Sequence, residues 1–287
     1  MKGQSNGVST SSRRLEGKVA VITGGASGFG EATARLYLRH GARVVVADVR
    51  DDIGQSLCEE LGLPDQVSYF HCDVANDADV KALVEFAVDK YGGLDIMFNN
   101  AGITGNHDFS IADADNDNFK RVFEVNVYGA FLGAKHAARV MIPARKGVIL
   151  FTASIASVAS GESPHSYTTS KHAVVGLMKN LCVELGQYGV RTNCISPCAV
   201  ATPLLTAAMG VDKSVIDDII SASATLKGVV PTADDVAEAA VYLGSDEAKF
   251  ISGLNLVVDG GYSTTNQKYI REMKRVLGPP APSSSSS

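Results

Sequence analysis

Short apolar runs alternate along this chain with longer segments whose apolar residues recur every three or four positions. Short runs rich in β-branched residues indicate buried strands, and the longer periodic segments indicate helices. Strands alternating with helices predict an α/β fold, built as a doubly wound parallel sheet with helices on both faces. The predicted strands, about seven, are 18–23, 43–48, 67–72, 94–98, 147–153, 190–195 and 254–258. The predicted helices are the segment from the glycine-rich turn to His40, then 51–61, 77–91, 116–142, 164–186 and 232–243.

The chain shows no internal linker rich in proline, glycine or serine that would divide it. We therefore predict one domain over residues 15–265. A serine-rich leader, 1–14, and a low-complexity tail, 266–287, flank it; the leader is expected to be disordered and the tail partly so. Within the domain, the apolar segment 202–227 is expected to form a lid over a substrate.

Charge and cysteine usage exclude several kinds of partner. The 287 residues carry 26 basic and 31 acidic side chains without a basic stripe, which argues against nucleic acid. Apolar runs stay below the roughly 18 residues that a membrane span needs. The five cysteines are an odd set without CxxC spacing, so they read as reduced thiols and predict no metal site. These features are typical of a cytoplasmic protein.

A glycine-rich turn follows the first strand and precedes a helix. Gly24, Gly28 and Gly30 let the backbone approach a pyrophosphate, and the helix N-terminus points N–H groups at it. Asp48 ends the second strand, where a dinucleotide-binding fold places an acid on the adenosine ribose. A carboxylate there repels a 2′-phosphate and favours NAD over NADP, although the nearby Arg50 leaves NADP open. Tight turns can use the same residues without a ligand.

Ser154, Tyr167 and Lys171 combine a hydroxyl, a phenol and an ammonium within a short stretch. On a helix, Tyr167 and Lys171 share one face, one turn apart. An ammonium beside a phenol favours the phenolate, so Tyr167 can exchange a proton with an alcohol or a carbonyl oxygen. Ser154 can donate a hydrogen bond to the same oxygen. The alternative is an ordinary pair on a helix surface.

Polar and small residues also gather at the predicted strand ends. Ligands of doubly wound sheets bind beyond the carboxyl ends of the strands. The residues that fall there are the glycine-rich turn, Asp48, Asp73, Asn99–Gly102, Ser154 and Pro197. We therefore expect one shared site at this edge of the sheet.

With these pieces placed, the chain resembles the short-chain dehydrogenase/reductase family from Leu15 to Tyr262, in its single-domain, Rossmann-like, NAD-linked form. The motifs that carry the resemblance are Thr23-Gly24-x-x-x-Gly28-x-Gly30, Asp73, Asn99-Asn100-Ala101-Gly102, Asn126, Ser154, Tyr167-x-x-x-Lys171 and Asp259-Gly260-Gly261. Longer stretches resemble a plant secondary-metabolism subgroup that includes secoisolariciresinol, xanthoxin and borneol-type monoterpenol dehydrogenases. These stretches are 126–143, 184–191, 201–204 and 252–262.

The resemblance implies roles for the matching residues. Tyr167 is the general acid and base, Lys171 lowers its pKa and holds the nicotinamide ribose, and Ser154 orients the substrate oxygen. Asn126 holds a water that links Lys171 to a proton relay. The implied cofactor-binding residues are Gly24, Ser27, Gly28, Phe29, Gly30, Asp48, Asp73, Val74, Asn100, Ala101, Gly102, Tyr167, Lys171, Val200 and Thr202. Asn99 is expected to brace the sheet rather than touch a substrate.

The chain departs from the family pattern after the sixth strand. Pro197-Cys198 stands where the family has Pro-Gly. A cysteine does not easily adopt the positive φ that glycine allows, and it places a thiol near the nicotinamide. A small wall residue is the preferred interpretation, and a catalytic or redox-sensing thiol is the alternative.

The expected substrate walls are 103–111, 155–165 and 202–227, and the third is rich in alanine, leucine, methionine and isoleucine. The third contains no arginine and only two lysines, which suits a neutral hydrophobic alcohol better than a carboxylate or phosphate. We favour a secondary alcohol of the borneol type, oxidised to its ketone with NAD. The alternatives are a lignan or xanthoxin-type alcohol, an NADP-linked ketone reductase and a non-catalytic NAD-binding scaffold. In the family the helices 116–142 and 164–186 pair between subunits, which implies a homotetramer.

Overall fold

The computed structural model describes residues 13–106, 109–264, 273, 275 and 276. Within them seven parallel strands form one sheet in the order β3-β2-β1-β4-β5-β6-β7. The strands are β1 (Val19–Thr23), β2 (Arg43–Asp48), β3 (Val67–His71), β4 (Ile96–Asn99), β5 (Gly147–Thr152), β6 (Val190–Pro197) and β7 (Asn255–Val258). The predicted fold class is confirmed, and each predicted strand is present with its ends moved by two residues or fewer.

Helices connect the strands and cover both faces of the sheet. They are α1 (Gly28–Arg39), α2 (Asp51–Leu61), α3 (Asp77–Tyr91), α4 (Asn116–Phe123), α5 (Ala130–Ala144), α6 (His165–Gly186), α7 (Pro203–Met209), α8 (Lys213–Ser223) and α9 (Ala233–Gly244). The predicted lid therefore contains two helices, α7 and α8. The predicted leader lies outside the described residues except for Arg13 and Arg14, and so does the tail apart from residues 273, 275 and 276.

The predicted helical stretch 116–142 is present, but its middle is not α-helical. A π-helical segment, Glu124–Gly129, separates α4 from α5. One wider turn keeps the apolar spacing close to that of an α-helix, so the pattern of side chains did not reveal it. Such segments frequently occur at functional sites, and this one carries Asn126.

Two apolar cores lie on opposite faces of the sheet because strand side chains alternate between faces. In β1, Val19 and Val21 join the core beneath α3, α5 and α6. Ala20 and Ile22 join the core beneath α1, α2 and α9. The predicted two-faced arrangement of helices follows from this alternation.

The strand order reverses beside β1, which pairs with β2 on one side and with β4 on the other. The connections leave the sheet toward opposite faces at this point, which opens a cleft at the carboxyl ends of β1 and β4. Asn99, at the end of β4, is buried, and a Cβ on Gly133 of α5 would overlap its side-chain oxygen. Asn99 therefore lies between the sheet and α5, in agreement with the predicted bracing role.

Candidate active site

The glycine-rich turn owes its shape to steric constraints at two kinds of position. Gly24 and Gly28 adopt φ of 62° and 57°, a left-handed conformation that favours glycine. Gly30 lacks a positive φ, but a Cβ there would strike the carbonyl oxygen of Gly24 and lie 2.8 Å from Nδ2 of Asn100. The turn therefore leaves the backbone N–H groups at the start of α1 uncovered by side chains. This cradle fits the pyrophosphate of a dinucleotide.

Hydrogen bonds hold the glycine-rich turn against the neighbouring strands β4 and β5. Asn100 donates through Nδ2 to the carbonyl oxygens of Thr23 and Gly24, at 3.0 and 3.2 Å. The backbone N–H groups of Asn100 and Ala101 both donate to Oγ1 of Thr23. Thr152 on β5 donates to Oδ1 of Asn100 at 2.9 Å. The contribution of Thr152 was not predicted; its only signal in the sequence is a hydroxyl at the end of an apolar strand.

Asp48 is buried at the end of β2, where the sequence placed it. Its carboxylate accepts hydrogen bonds from the backbone N–H of Ala26 and from Arg50. Burial raises the pKa of Asp48, but the hydrogen bonds and charge of Arg50 outweigh it, so the pKa lies below its ordinary value. The group is therefore an anion at neutral pH, as a ribose acceptor must be.

Asp73 and Val74 follow β3, at the edge of the sheet where the cofactor is expected to bind. The Asp73 carboxylate accepts a hydrogen bond from the N–H of Ala75 at 3.0 Å, which fixes the turn after β3. Val74 is buried, and a Cβ on Gly129 would lie 2.8 Å from its Cγ2. The π-helical segment thus packs directly on Val74.

Ser154, Tyr167 and Lys171 converge after β5 and on α6. Nζ of Lys171 donates to the carbonyl oxygen of Thr152 at 2.8 Å and lies 5.4 Å from the centre of the Tyr167 ring. The hydroxyl of Ser154 lies close enough to that of Tyr167 to lower the pKa of the phenol. A Cβ on Gly102 would lie 3.5 Å from Nζ of Lys171, so the loop after β4 closes on the same point. The structure brings the predicted catalytic residues together.

Burial dominates the ionisation of the pair on α6. Burial raises the pKa of Tyr167, and the hydrogen bond with Ser154 acts in the opposite direction. Burial lowers the pKa of Lys171 to about 8. The phenol is therefore protonated at neutral pH in this arrangement. The predicted lowering of the Tyr167 pKa by Lys171 stays a prediction.

Asn126 links the loop after β4 to α6. Its Oδ1 accepts from the N–H of Ile103 at 2.8 Å, and its Nδ2 donates to the carbonyl of Ile103 and to Oγ of Ser170. Ser170 in turn donates to the carbonyl oxygen of Tyr167 at 2.7 Å. Asn126 therefore fixes the backbone around Tyr167. Its predicted water-holding role stays a prediction.

The loop after β6 reaches the glycine-rich turn. A Cβ on Gly28 would lie 3.5 Å from Cβ of Thr202, and both Val200 and Thr202 are buried. Cys198 is not among the positive-φ residues of the described chain, and its N–H donates to the carbonyl of Val258 at 3.0 Å. Burial raises the pKa of the Cys198 thiol. A protonated thiol in ordinary backbone geometry favours the wall-residue interpretation.

Three polar side chains that the sequence analysis missed form a closed ring behind Ser154. Ser196 donates to Oδ1 of Asn255 at 2.7 Å, and Nδ2 of Asn255 donates to Oγ of Ser157 at 3.3 Å. Because the Ser196 proton is already used, Ser157 donates to Ser196 across 3.1 Å. The Ser157 N–H also donates to the carbonyl oxygen of Ser154. The ring thus ties the loop that carries Ser154 to β6 and β7.

Replacing Ser196 with alanine is expected to open this ring and to lower kcat by about tenfold. The loop of Ser154 would then shift, and a misplaced Ser154 hydroxyl stabilises the transition state less well. The KM for the cofactor should change little. Steady-state kinetics with circular dichroism as a folding check would measure both. Ser68→Ala is the matched control, because Ser68 is a buried, hydrogen-bonded serine on β3, at the other edge of the sheet. Equal kcat values for Ser196→Ala and wild type would contradict the positioning role.

Apolar side chains are exposed on all three predicted substrate walls. The examples are Phe109, Ile111, Val158, Leu204, Met209 and Ile219. One of the two lysines of the lid, Lys227, donates to the carbonyl oxygens of Ser221 and Ala222 and so caps the end of α8. All three expected walls therefore expose apolar side chains, which suits an uncharged ligand.

Over the residues that the structure describes, no helix combines the length and the apolar character needed to cross a bilayer.

The chain is similar to known proteins along almost its whole length. The family model described as Enoyl-(Acyl carrier protein) reductase matches residues 24–263. Short chain aldehyde dehydrogenase 1 of Euphorbia lathyris is 57% identical over 93% of this chain and 95% of its own length. Secoisolariciresinol dehydrogenase of Forsythia intermedia is 52% identical, and (+)-borneol dehydrogenase 2 of Salvia officinalis 51% identical. Each of these two covers 88% of this chain and 92% of its own length.

Solved structures agree with the sequence relatives. The crystal structure of levodione reductase superimposes with a TM-score of 0.82 and 30% identity, covering 88% of this chain and all of that chain. The seven-stranded fold, the convergence of Ser154, Tyr167 and Lys171, and these matches lead to one conclusion. The chain belongs to the short-chain dehydrogenase/reductase family, whose members bind a nicotinamide cofactor.

Proposed function

We propose that this protein oxidises a hydrophobic secondary alcohol to its ketone with NAD. The observation that carries the proposal is the convergence of Ser154, Tyr167 and Lys171. The exposed apolar side chains of the expected substrate walls support a hydrophobic substrate. Relatives named for borneol and secoisolariciresinol support an alcohol substrate. A borneol-type monoterpenol is the favoured substrate, and lignan or xanthoxin-type alcohols are the alternatives.

The residues of the chain divide the chemistry among them. Ser154 donates a hydrogen bond to the substrate oxygen and holds it beside Tyr167. The Tyr167 phenolate accepts the hydroxyl proton of the alcohol, and in the reverse direction the phenol returns it. Lys171, held by the Thr152 carbonyl, places a positive charge near the phenolate. A bound nicotinamide supplies the hydride acceptor. Asn126 keeps the loop after β4 and the helix of Tyr167 at a fixed separation.

The two directions of the reaction are expected to respond oppositely to pH. The raised pKa of Tyr167 keeps the phenol protonated at neutral pH, and alcohol oxidation needs the phenolate. The kcat/KM for oxidation should therefore rise as pH increases above neutrality, while kcat/KM for ketone reduction should hold at neutral pH and fall at alkaline pH. Profiles recorded in both directions would measure this. An oxidation rate that peaks below neutral pH would contradict it.

Asp48 supports NAD as the physiological cofactor. A buried, ionised carboxylate at the end of β2 suits a ribose diol and repels a 2′-phosphate. Arg50 beside it is the observation that keeps an NADP-linked ketone reductase as the second candidate.

The test is NADH formation by the purified protein with NAD, against borneol-type monoterpenols, a lignan diol and a sterol; xanthoxin-like aldehydes complete the panel. Parallel assays with NADP separate the second candidate. Turnover of one class is the expected result. NAD binding without turnover of any compound would favour the non-catalytic scaffold instead.

We also propose that the protein assembles as a homotetramer. Exposed apolar side chains on α5 and α6, Phe131 and Val183, support pairing of subunits through these helices in a homotetramer. Light scattering distinguishes a tetramer from a monomer or dimer.

We place the protein in the cytoplasm because its free cysteines suit a reducing compartment. Imaging of a tagged full-length chain tests the location.

A further inference from the structure

Thr152, the last residue of β5, contacts two parts of the site through two different groups. Its carbonyl oxygen accepts a hydrogen bond from Nζ of Lys171 at 2.8 Å. Its hydroxyl donates to Oδ1 of Asn100 at 2.9 Å, and the residue is buried. A single residue of the sheet thus joins the helix that carries Tyr167 and Lys171 to the loop after β4.

The contacts of the Asn100 amide fix its orientation. Nδ2 lies beside the carbonyl oxygens of Thr23 and Gly24, which can only accept, so this atom is the donor. Oδ1 is then the atom that accepts from the hydroxyl of Thr152. A Cβ on Gly30 would lie 2.8 Å from the same Nδ2, so the amide packs directly on the glycine-rich turn. Asn100 therefore connects Thr152 to that turn.

The glycine-rich turn keeps its own contacts when the hydroxyl of Thr152 is removed. The N–H groups of Asn100 and Ala101 donate to Oγ1 of Thr23, at 3.0 and 3.1 Å. Nδ2 of Asn100 bonds the turn directly. The hydroxyl of Thr152 adds a different link, which runs from this turn to the carbonyl that holds Lys171.

We propose that Thr152 is a positioning residue that fixes the separation between the glycine-rich turn and Lys171, so that one dinucleotide is held at both places. The inference rests on the dinucleotide site of the proposed function, with the pyrophosphate at the turn and the nicotinamide ribose at Lys171. A separation that is fixed before binding spares the ligand the cost of ordering the site. A ligand that reaches the turn but has no nicotinamide ribose does not depend on this separation.

Thr152→Val tests the proposal because it removes the hydroxyl and keeps the shape of the side chain. The Kd for NAD is expected to rise by about fivefold, because Oδ1 of Asn100 loses its donor and the two contact points are no longer held at one distance. The Kd for ADP, which has the adenosine and the two phosphates only, should change by less than about twofold. Calorimetric titration without substrate measures both constants. A turn that was merely loosened would bind both ligands less tightly.

Three further variants make the result specific. Thr152→Ser keeps the hydroxyl and should hold the Kd for NAD within about twofold of wild type, whereas Thr152→Ala lacks it and should repeat the difference between NAD and ADP. Thr192→Val is the matched control, because Thr192 is a buried threonine on the neighbouring strand β6 whose hydroxyl donates to the carbonyl oxygen of Met178. It should leave both constants within about twofold of wild type. Denaturant unfolding checks that each variant is folded.

The outcomes separate this inference from the proposed function. Wild-type protein that binds NAD, with the same affinity in the folded variants that lack the hydroxyl, overturns the role of Thr152 and leaves the proposed function intact. Equal losses of NAD and ADP affinity also overturn it, and so does a Thr152→Ser protein that binds NAD as weakly as Thr152→Val. Folded wild-type protein that does not bind NAD overturns both.

Discussion

Replacing Tyr167 with phenylalanine is expected to lower kcat for alcohol oxidation by about 10³-fold or more, because the phenolate that accepts the alcohol proton is lost. The ring, which lies 5.4 Å from Nζ of Lys171, keeps its place, so NAD binding should be largely retained. Steady-state oxidation assays and cofactor titration measure the two quantities separately. Their divergence is the signature of a chemical role rather than a structural one.

Tyr188→Phe is the matched control for this variant. Tyr188 follows the same helix and packs against the core at the far end from Ser154. Loss of its hydroxyl should leave kcat within about twofold of wild type, as is usual for changes away from a functional site. Full activity in Tyr167→Phe would remove the proposed mechanism. Equal losses in the two variants would point to a general effect on folding.

Gly30→Ala is expected to displace the glycine-rich turn and thereby to lower both the stability of the protein and its affinity for NAD. The added Cβ would meet the Gly24 carbonyl and the amide of Asn100, two groups that are hydrogen-bonded to each other at 3.2 Å. Gly30 has no positive φ, so the cost comes from this contact and not from backbone strain. We expect a loss of about 1–3 kcal/mol in the free energy of unfolding, as for overpacking elsewhere.

NAD binding should weaken with it, because the backbone that faces the pyrophosphate must move. Denaturant unfolding and cofactor titration measure the two effects. Gly93→Ala is the control, since Gly93 also lacks a positive φ and its Cβ would meet no atom within 4 Å. A Gly30→Ala protein as stable as wild type, with unchanged NAD affinity, would show that the turn tolerates a side chain.

The periodic pattern was sufficient for the sheet and for the location of the site. Each strand of a parallel sheet is a short, fully buried run, and such runs stand out from the amphipathic helices between them. Because all seven strands are parallel, their carboxyl ends share one edge, so residues far apart in sequence were predicted to meet there. Ser154, Tyr167 and Lys171 do meet in the structure. Their chemistry indicated proton exchange at Tyr167 and a hydrogen bond from Ser154, and the resemblance to a known family added the ribose-holding role of Lys171.

The division of the helix 116–142 shows the limit of the same pattern. A π-turn adds about one residue per turn and leaves apolar residues on the inner face, so the spacing does not distinguish it from an α-helix. Its effect is nevertheless local and functional, because it carries Asn126 at the point where the amide contacts Ile103 and Ser170.

The sequence by itself determined the succession of strands and helices along the chain, because that succession depends on local propensity and periodicity. It also determined which residues, Asp48 among them, lie at the carboxyl ends of the strands. Only the tertiary structure decided which polar groups pair. Ser157 and Asn255 are 98 positions apart, and the ring that they form with Ser196 depends on the adjacency of β5, β6 and β7. Arg50 is close to Asp48 in sequence, but its direction toward the carboxylate and Ser27 is set by the glycine-rich turn beside it. Side-chain hydrogen bonds depend on angles and distances of a few ångströms, which spacing along the chain does not specify.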